Sequence, residues 1–229
     1  MPSPPRAYRG VMSRIAVVGG HGKVALRLIP LLVEAGHVPV ALVRREEYRA
    51  ELEGLGAEVR LVDIESDDVE AFAGAFTGAD AVVFAAGGGA DGNVERKRTV
   101  DLGGSLKSID GALEAGARRF VQVSAISVDE PLPDDTSPVW RAYVEAKRDA
   151  DAALRTSALE WTIIRPGGLT DDDPTGAVDL GPDVQRGEVS RADVAAVLAA
   201  VLDDPRTIGH QWNLVAGDAS IDAAIDALV

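Results

Sequence analysis

Short runs rich in valine and isoleucine alternate with longer segments of helical pattern along most of this chain. The runs are Ile15–Val18, Val38–Val43, Glu58–Val62, Ala81–Ala85, Phe120–Ser124, Thr162–Arg165 and Trp212–Val215. Nearly continuous apolar runs are typical of strands that are covered on both faces, and the intervening helices would supply parallel crossovers. The pattern therefore predicts a single α/β domain over residues 13–229, built on a doubly wound parallel sheet.

Capping residues predict where two of the helices begin. Ser137 places a capping hydroxyl before Pro138, so a helix should start there and run to about Thr156. Ser190 and Asp193 resemble a capping box in which aspartate replaces the usual glutamate. Another helix should therefore start after Ser190.

Three segments depart from the regular pattern. A first helix over Gly22–Ala35 contains Pro30, which removes a hydrogen-bond donor and should kink the helix. Thr170–Gly187 is acidic and rich in glycine and proline, which predicts a long loop on the substrate side. Residues 1–12 contain three prolines and are expected to form a disordered tail.

Composition narrows the classes of partner. The formal net charge of -14 argues against nucleic acid and anionic membranes as partners, because both require a basic surface. The absence of cysteine excludes disulfides and thiolate chemistry, and no apolar segment is long enough to span a membrane. We therefore expect a cytoplasmic protein that binds a small molecule, either as a monomer or as a homodimer.

No metal site is expected. The three histidines are scattered without metal-ligand spacing. Asp171, Asp172 and Asp173 could hold a divalent cation, but an acidic solvated loop is the preferred interpretation. His21 could hydrogen-bond an anion, although a solvated loop histidine is the more common case.

A glycine-rich turn follows the first predicted strand. A strand that turns sharply into a helix lets a pyrophosphate approach backbone N–H groups at the positive end of the helix, provided that no Cβ intervenes. Gly19 and Gly22 occupy the positions where glycine is needed, and Ala25 takes the third position of the usual spacing. The turn predicts a dinucleotide cradle, while an ordinary glycine turn is the alternative.

Two arginines follow the second predicted strand. In a dinucleotide fold this turn faces the adenosine ribose, where arginine can pair with the 2′-phosphate of NADP. Arg44 and Arg45 therefore favour NADP, with NAD also possible. Alternatively, both arginines face solvent and balance Glu46 and Glu47.

The next two strand ends carry further candidates for the cofactor site. Asp63 follows the third strand and could contact adenine or cap the next helix. Ala85, Ala86 and Gly87 follow the fourth strand, where small residues let the backbone approach a cofactor.

Tyr143 and Lys147 form the clearest catalytic pattern. Their i, i+4 spacing places phenol and ammonium on one face of a helix. The charge of the lysine should favour tyrosinate and make the phenol a usable acid near neutral pH. The alternative is an ordinary half-buried tyrosine.

As a set, these segments resemble the atypical short-chain dehydrogenase/reductase group, which includes the NmrA-like and biliverdin reductase B-like proteins. Further motifs of the group are Phe120–Ser124, Ile164–Thr170 and Ser190–Ala195, in the family order. The resemblance implies a Rossmann fold that binds NAD(P).

Roles carry over from the group to matching positions. The resemblance implies that Gly19, Gly22, Lys23 and Val24 hold the pyrophosphate, that Arg44 meets the 2′-phosphate and that Asp63 meets adenine. It implies that Tyr143 is the acid/base and that Lys147 binds the nicotinamide ribose. Pro166, Gly167 and Gly168 would flank the nicotinamide.

One departure from the group concerns the hydroxyl that usually orients the substrate carbonyl. Ala125 occupies its place, so either Ser124 or Ser127 would substitute for it. Losing such a donor typically slows acyl or carbonyl chemistry by about 10²–10³.

The sequence thus predicts an NADP-preferring oxidoreductase that transfers hydride to a small carbonyl or flavin-like acceptor, with Tyr143, Lys147 and Ser124 as catalytic residues. The alternative is a weakly catalytic NAD(P)-sensing regulatory protein. A sugar-nucleotide epimerase or dehydratase ranks third, because 229 residues leave little room for a substrate domain.

Overall fold

The computed structural model describes residues 12–89 and 92–229. Within them, the chain forms strands β1 (Arg14–Val18), β2 (Val38–Val43), β3 (Glu58–Leu61), β4 (Ala81–Phe84), β5 (Arg119–Val123), β6 (Glu160–Pro166), β7 (Gly168–Thr170), β8 (Ala177–Gly181), β9 (Glu188–Ser190), β10 (His210–Ala216) and β11 (Ala219–Ser220). Nine of these strands form one sheet, in the order β11-β8-β10-β6-β5-β4-β1-β2-β3, while β7 pairs with β9.

Helices connect most of the strands. They are α1 (Ala25–Glu34), α2 (Arg49–Gly54), α3 (Val69–Phe76), α4 (Val94–Arg96), α5 (Gly104–Ala115), α6 (Pro138–Thr156), α7 (Arg191–Asp203) and α8 (Ile221–Asp226). A π-helical segment, Lys97–Gly103, joins α4 to α5, and short 3₁₀ turns lie at Glu46–Tyr48 and Pro205–Thr207. None of the helices that the structure describes is both long and apolar enough to cross a membrane.

The doubly wound α/β prediction is confirmed. Strands β3, β2, β1, β4, β5, β6 and β10 are parallel, and Val18 at the end of β1 lies opposite Leu42 and Phe84. Because the chain reverses direction across the sheet between β1 and β4, a crevice opens at the carboxyl ends of these strands.

The core lies on both faces of this sheet. Successive side chains of β1 point to opposite faces, so Val17 belongs to a cluster with Leu28 of α1 and Leu198 of α7. Val18 belongs to a second cluster, with Phe72 of α3 and Ile109 of α5. Both faces of the central strands are therefore covered, as the continuous apolar runs predicted.

The segment Thr170–Gly187 corrects the prediction of a long loop. Residues Ala177–Gly181 form β8, which pairs antiparallel with β10 and with β11. This edge of the sheet is therefore not parallel. Through this pairing, the backbone groups of β10 form hydrogen bonds that an open sheet edge would lack. No local pattern in the sequence predicts the pairing.

Helix boundaries follow the capping signals. The hydroxyl of Ser137 accepts from the backbone N–H of Trp140 at 3.3 Å, and that of Ser190 accepts from Asp193 at 2.9 Å. The carboxylate of Asp193 instead accepts from the backbone N–H groups of Thr175 and Gly176. Both predicted helix starts are confirmed, and Asp193 also anchors the segment before β8.

Two remaining expectations concern the N-terminal region. The first helix begins at Ala25, rather than at Gly22, and Pro30 lies within it on an exposed face. The predicted disordered tail falls on residues 1–11, outside the described residues, and on the exposed Met12.

Candidate functional site

A cleft of about 320 Å³ lies at the carboxyl ends of β1 to β4. This is the place where open α/β sheets bind ligands. Seven residues of the predicted cofactor site line it: Gly19, Gly22, Arg44, Asp63, Ala85, Ala86 and Gly87.

The glycine turn has no room for side chains. Gly19 has a φ of +79°, and a Cβ there would lie 2.9 Å from the Cα of Ala86. A Cβ on Gly20 would lie 2.7 Å from the Cβ of Ala41, and one on Gly22 would lie 3.0 Å from the carbonyl oxygen of Gly19. The turn therefore packs closely between β2 and the end of β4, and its glycines line the cleft.

Backbone donors at the start of α1 complete this cradle. Within the described residues, the N–H groups of Lys23, Val24 and Ala25 donate no hydrogen bond, and no side chain caps the helix. Free N–H groups at the positive end of a helix favour an anion. The cradle fits the pyrophosphate of a dinucleotide.

Arg44 and Arg45 differ in their surroundings. Arg45 pairs with Glu47 at 3.0 Å, and Glu46 pairs with Arg49. Arg44 is exposed, lines the cleft and forms no ion pair with the residues that the structure describes. The solvent-facing interpretation therefore fits Arg45, while Arg44 is free to meet an anionic ligand.

Asp63 holds a turn and lines the cleft at the same time. One of its carboxylate oxygens accepts from the backbone N–H of Glu65 at 2.9 Å. The helix that follows is capped by Asp68, whose carboxylate accepts from Ala71 at 3.0 Å. Asp63 is thus not the helix cap. Its other carboxylate oxygen has no hydrogen-bond partner in the part of the chain that the structure describes, and its contact with adenine stays a prediction.

His21 belongs to an aromatic stack that the sequence did not indicate. Its ring lies 3.7 Å from that of Tyr48, nearly parallel at 7°, and its Nε2 lies 2.8 Å from Glu51. Both rings line the cleft beside Arg44. The side chain is therefore held in place by its neighbours while it stays partly exposed to solvent.

The side chain of Lys23 points away from this cleft to Asp171. Its Nζ lies 2.5 Å from the Asp171 carboxylate, which also meets Arg191 at 3.0 Å and Arg27 at 3.4 Å. These contacts lower the pKa of Asp171, and the hydrogen bond from Lys23 has the largest effect. Asp171 is thus an ion-paired residue of the segment, and no cluster of three metal-ligating side chains occurs in residues 12–89 and 92–229.

Tyr143 and Lys147 lie on α6, beside the ends of β4 and β5. The Lys147 Nζ donates to the carbonyl oxygen of Val123 at 3.1 Å and lies 3.5 Å from a carboxylate oxygen of Asp101. Burial, aided by Asp101 and Asp151, raises the pKa of Tyr143 above its usual value. This direction is opposite to the one expected from Lys147 alone, first because Tyr143 is buried and then because carboxylates face the phenol.

Ser124 is not exposed to a substrate. It is 3% exposed, and its hydroxyl donates to Asp151 at 2.8 Å. Asp151 also accepts from Arg165 at 2.9 Å, and burial raises the pKa of Asp151. The Ser124 hydroxyl therefore bonds to a buried carboxylate. It does not face a substrate carbonyl, as the sequence had led us to expect.

Ser127 is the more accessible hydroxyl. It is partly exposed, and its φ of +62° is unusual for a residue with a side chain. Its Oγ accepts from the guanidinium of Arg186 at 3.1 Å, so it joins the end of β5 to the segment before β9. Ala125 lies between the two serines and is partly exposed.

Packing explains the glycines that follow β6. A Cβ on Gly167 would lie 2.1 Å from the carbonyl oxygen of Gly187, and the N–H of Gly168 donates to the same oxygen at 2.8 Å. Pro166, Gly167 and Gly168 thus lie at the carboxyl edge of the sheet. Their predicted contact with nicotinamide stays a prediction.

Sequence reasoning assigned no role to three buried ionic residues near Tyr143 and Ser124: Asp101, Asp151 and Arg165. Asp151 follows Lys147 by one helical turn, so its position on the same face of α6 could have been inferred. Asp101 and Arg165 have no local signal, because their partners are distant in sequence.

Comparisons with known proteins agree with this geometry. The NAD(P)H-binding family matches residues 19–205. YhfK of Bacillus subtilis, an "uncharacterized sugar epimerase", is 37% identical over 216 residues, covering 94% of this chain and 100% of YhfK.

Solved structures show the same fold. A putative NAD-dependent epimerase/dehydratase from Bacillus halodurans is 38% identical with a TM-score of 0.87, covering 94% of this chain and 100% of that one. ChuY, an anaerobillin reductase from Escherichia coli O157:H7, is 25% identical with a TM-score of 0.72, covering 91% and 99%. The chain therefore belongs to the NAD(P)H-binding family, with neighbours in the biliverdin reductase-like and NmrA-like group of atypical short-chain dehydrogenases/reductases.

Proposed function

We propose that this protein is an NADPH-preferring oxidoreductase that reduces a small carbonyl or flavin-like acceptor. One juxtaposition carries the proposal. The glycine cradle and Arg44, which forms no ion pair within the described residues, lie at one end of the site, beside β1 and β2, and Tyr143 and Lys147 of α6 lie at the other, beside β4 and β5. The first end suits a phosphorylated dinucleotide, and the second suits proton transfer.

Different residues of the chain would bind the cofactor and supply the proton. When bound, a reduced nicotinamide supplies a hydride to the acceptor. Tyr143 would hold a proton at neutral pH, as an ordinary phenol does, and burial together with nearby carboxylates raises its pKa further. It would give that proton to the oxygen or nitrogen on which negative charge develops. Lys147, fixed by Val123 and Asp101, would hold the ribose beside it.

The names of the relatives favour a second candidate. ChuY is named a reductase, which supports the proposal, whereas YhfK and the Bacillus halodurans protein carry epimerase names. This chain covers 100% of both of the latter, so its length does not argue against epimerase activity. An epimerase would return the hydride to its substrate and consume no net cofactor.

The test begins with binding. NADPH and NADH are titrated separately, with intrinsic tryptophan fluorescence and the melting temperature as readouts. We expect NADPH to raise the melting temperature at lower concentration than NADH does, because a ligand that binds the native state stabilises it by mass action. No response to either cofactor at about millimolar concentration would contradict the cradle.

Turnover is then measured with a panel of carbonyls and flavins, for the wild type and for Tyr143→Phe. We expect NADPH oxidation by the wild type and a loss of about 10²–10⁴ in kcat for the variant, the usual contribution of a general acid. Cofactor binding without any oxidation would favour the sensing protein. Inversion of a stereocentre in the substrate without net oxidation of NADPH would favour the epimerase.

A further inference from the structure

Asp101 is a buried carboxylate in an unusual segment of helix. It is 1% exposed and lies in the π-helical stretch Lys97–Gly103, between α4 and α5. Segments of π-helix are rare and occur frequently at functional sites. One of its oxygens, Oδ1, is buried and has no hydrogen-bond partner among residues 12–89 and 92–229. Such an arrangement is costly unless a nearby charge compensates it.

The carboxylate of Asp101 joins two parts of the site. Oδ2 accepts from the backbone N–H of Gly88 at 2.9 Å, in the segment that leaves β4. Oδ1 lies 3.5 Å from the Nζ of Lys147 on α6. A Cβ on Gly88 would lie 2.8 Å from the carbonyl oxygen of Arg96, so this segment is pressed against the helix that carries Asp101. Asp101 therefore fixes the end of β4 relative to Lys147.

The Lys147 ammonium has few other partners. It donates to the carbonyl oxygen of Val123, and it lies 5.8 Å from the centre of the Phe84 ring. Its side chain is 6% exposed, so water contributes little to its stabilisation. Asp101 is the carboxylate that meets it within ion-pair distance among the described residues.

The charged groups around Tyr143 come from two elements. From the π-helical segment, Lys97 lies 5.9 Å from the Tyr143 ring and donates to the carbonyl oxygen of Gly89, while Asp101 also faces the tyrosine. From α6 itself come Lys147 and Asp151, and Asp151 is paired with Arg165 at 2.8 Å. Asp101 thus cancels the charge of the lysine nearest in sequence to the tyrosine.

We propose that Asp101 is a positioning residue that acts through Lys147 and Gly88. It holds the ammonium against β5, and by offsetting the charge of that ammonium it opposes the ionisation of Tyr143. The catalytic meaning of this arrangement rests on the proposed function. The electrostatic coupling between Asp101 and Tyr143 does not, and it can be measured without substrate.

The test is a titration of tyrosinate absorbance near 295 nm in wild type and in Asp101→Asn. Asparagine keeps the shape of the side chain and an acceptor for Gly88, but it removes the charge. The component that belongs to Tyr143 is the one lost in Tyr143→Phe, since the chain has three tyrosines. We expect Asp101→Asn to move this component to lower pH by about one unit or more.

The matched control is Asp110→Asn, which removes an exposed carboxylate from α5 and should leave the Tyr143 component where it is. An unchanged Tyr143 component in folded Asp101→Asn overturns the proposal. If the asparagine variant does not fold by circular dichroism, Asp101→Ser is used with the same two outcomes. Because this readout needs no turnover, absence of NADPH oxidation would defeat the proposed function and leave the coupling standing or falling on its own.

Discussion

The two ends of the carboxyl edge are built in opposite ways. At one end, the cleft beside β1 to β4 is open, the glycine turn and the rings of His21 and Tyr48 line it, and Arg44 is exposed and unpaired within the described residues. At the end that carries Tyr143, the ionic side chains are almost completely buried and already bonded to one another. These side chains are Asp101, Lys147, Asp151 and Arg165, all at 5% exposure or less.

Because of this difference, substitutions at the two ends should affect different properties, ligand affinity at one and stability at the other. An open cleft with a free cation gains its contacts only when a ligand arrives, so substitutions there should alter affinity and spare stability. A buried ionic network must be satisfied before any ligand binds, because each charge left unpaired is costly. Substitutions there should alter stability first.

The largest effect is expected at Asp151, which is fully buried and binds Ser124, Gln122 and Arg165. Removing one partner of a buried ion pair typically costs about 3–5 kcal/mol. We expect Asp151→Ala to lower the free energy of unfolding by about that amount in urea denaturation. Asp149→Ala, an exposed carboxylate on the same helix, should change it little. Equal stabilities for the two variants would remove the contrast between the two ends.

Arg44 should show the reverse behaviour. Hydrogen bonds to charged groups contribute about 1.5–3 kcal/mol, so Arg44→Ala should weaken NADPH binding by about 10- to 100-fold. Binding of NADH and the free energy of unfolding should stay nearly unchanged. Arg45→Ala is the matched control, because Arg45 already pairs with Glu47. Equal losses for the two cofactors would refute the role of Arg44 in selecting NADPH.

Gly19 tests the shape of the cradle. Its φ of +79° costs a residue with a Cβ about 1–2 kcal/mol, and the Cβ would also press on Ala86. We expect Gly19→Ala to lower stability by about that amount and to weaken both cofactors by more than about tenfold. Gly74→Ala is the control, since a Cβ there meets nothing within 4 Å. Full cofactor binding by Gly19→Ala would show that the turn is not a cradle.

The smallest effect is expected at Asp171, where surface ion pairs link the glycine turn to α7. Its pKa is lowered in the folded protein, first by Lys23, so the ionised carboxylate stabilises the fold above its unfolded pKa of about 3.9. That stabilisation is lost as the pH falls through the lowered value. Asp171→Asn should therefore lower the melting temperature slightly at pH 7, and the difference from wild type should vanish as the pH falls through the lowered pKa of Asp171. A large loss at neutral pH would mean that this contact is structural.

Much of the fold was predictable because its signals are local. The apolar runs became β1 to β6 and β10 within a few residues, and the hydroxyls of Ser137 and Ser190 cap the helices where expected. The antiparallel strand β8 was missed, since pairing with β10 decides its conformation and the segment itself is rich in glycine and proline.

The candidate site divides in the same way. Backbone demands at Gly19 and Gly22 are visible in the sequence, because only glycine tolerates a positive φ and a close approach at low cost. Burial and nearby carboxylates raise the pKa of Tyr143, opposite to the expectation, which considered only its helical neighbour Lys147. Its partner Asp101 lies 46 positions away in the chain, as the difference between the two residue numbers shows.

By itself, then, the sequence determined an α/β sheet, a glycine turn that fits a pyrophosphate, and the helix that carries Tyr143 and Lys147. Each follows from periodicity, from the conformational freedom of glycine or from helical spacing, which are properties of neighbouring residues. Only the tertiary structure decided that Arg45 and not Arg44 pairs with a carboxylate among the described residues, that Ser124 donates to Asp151 and that Asp101 faces Lys147. The pairing of charges depends on how deeply they are buried and on the distances between remote segments. Neither quantity can be read from the order of residues alone.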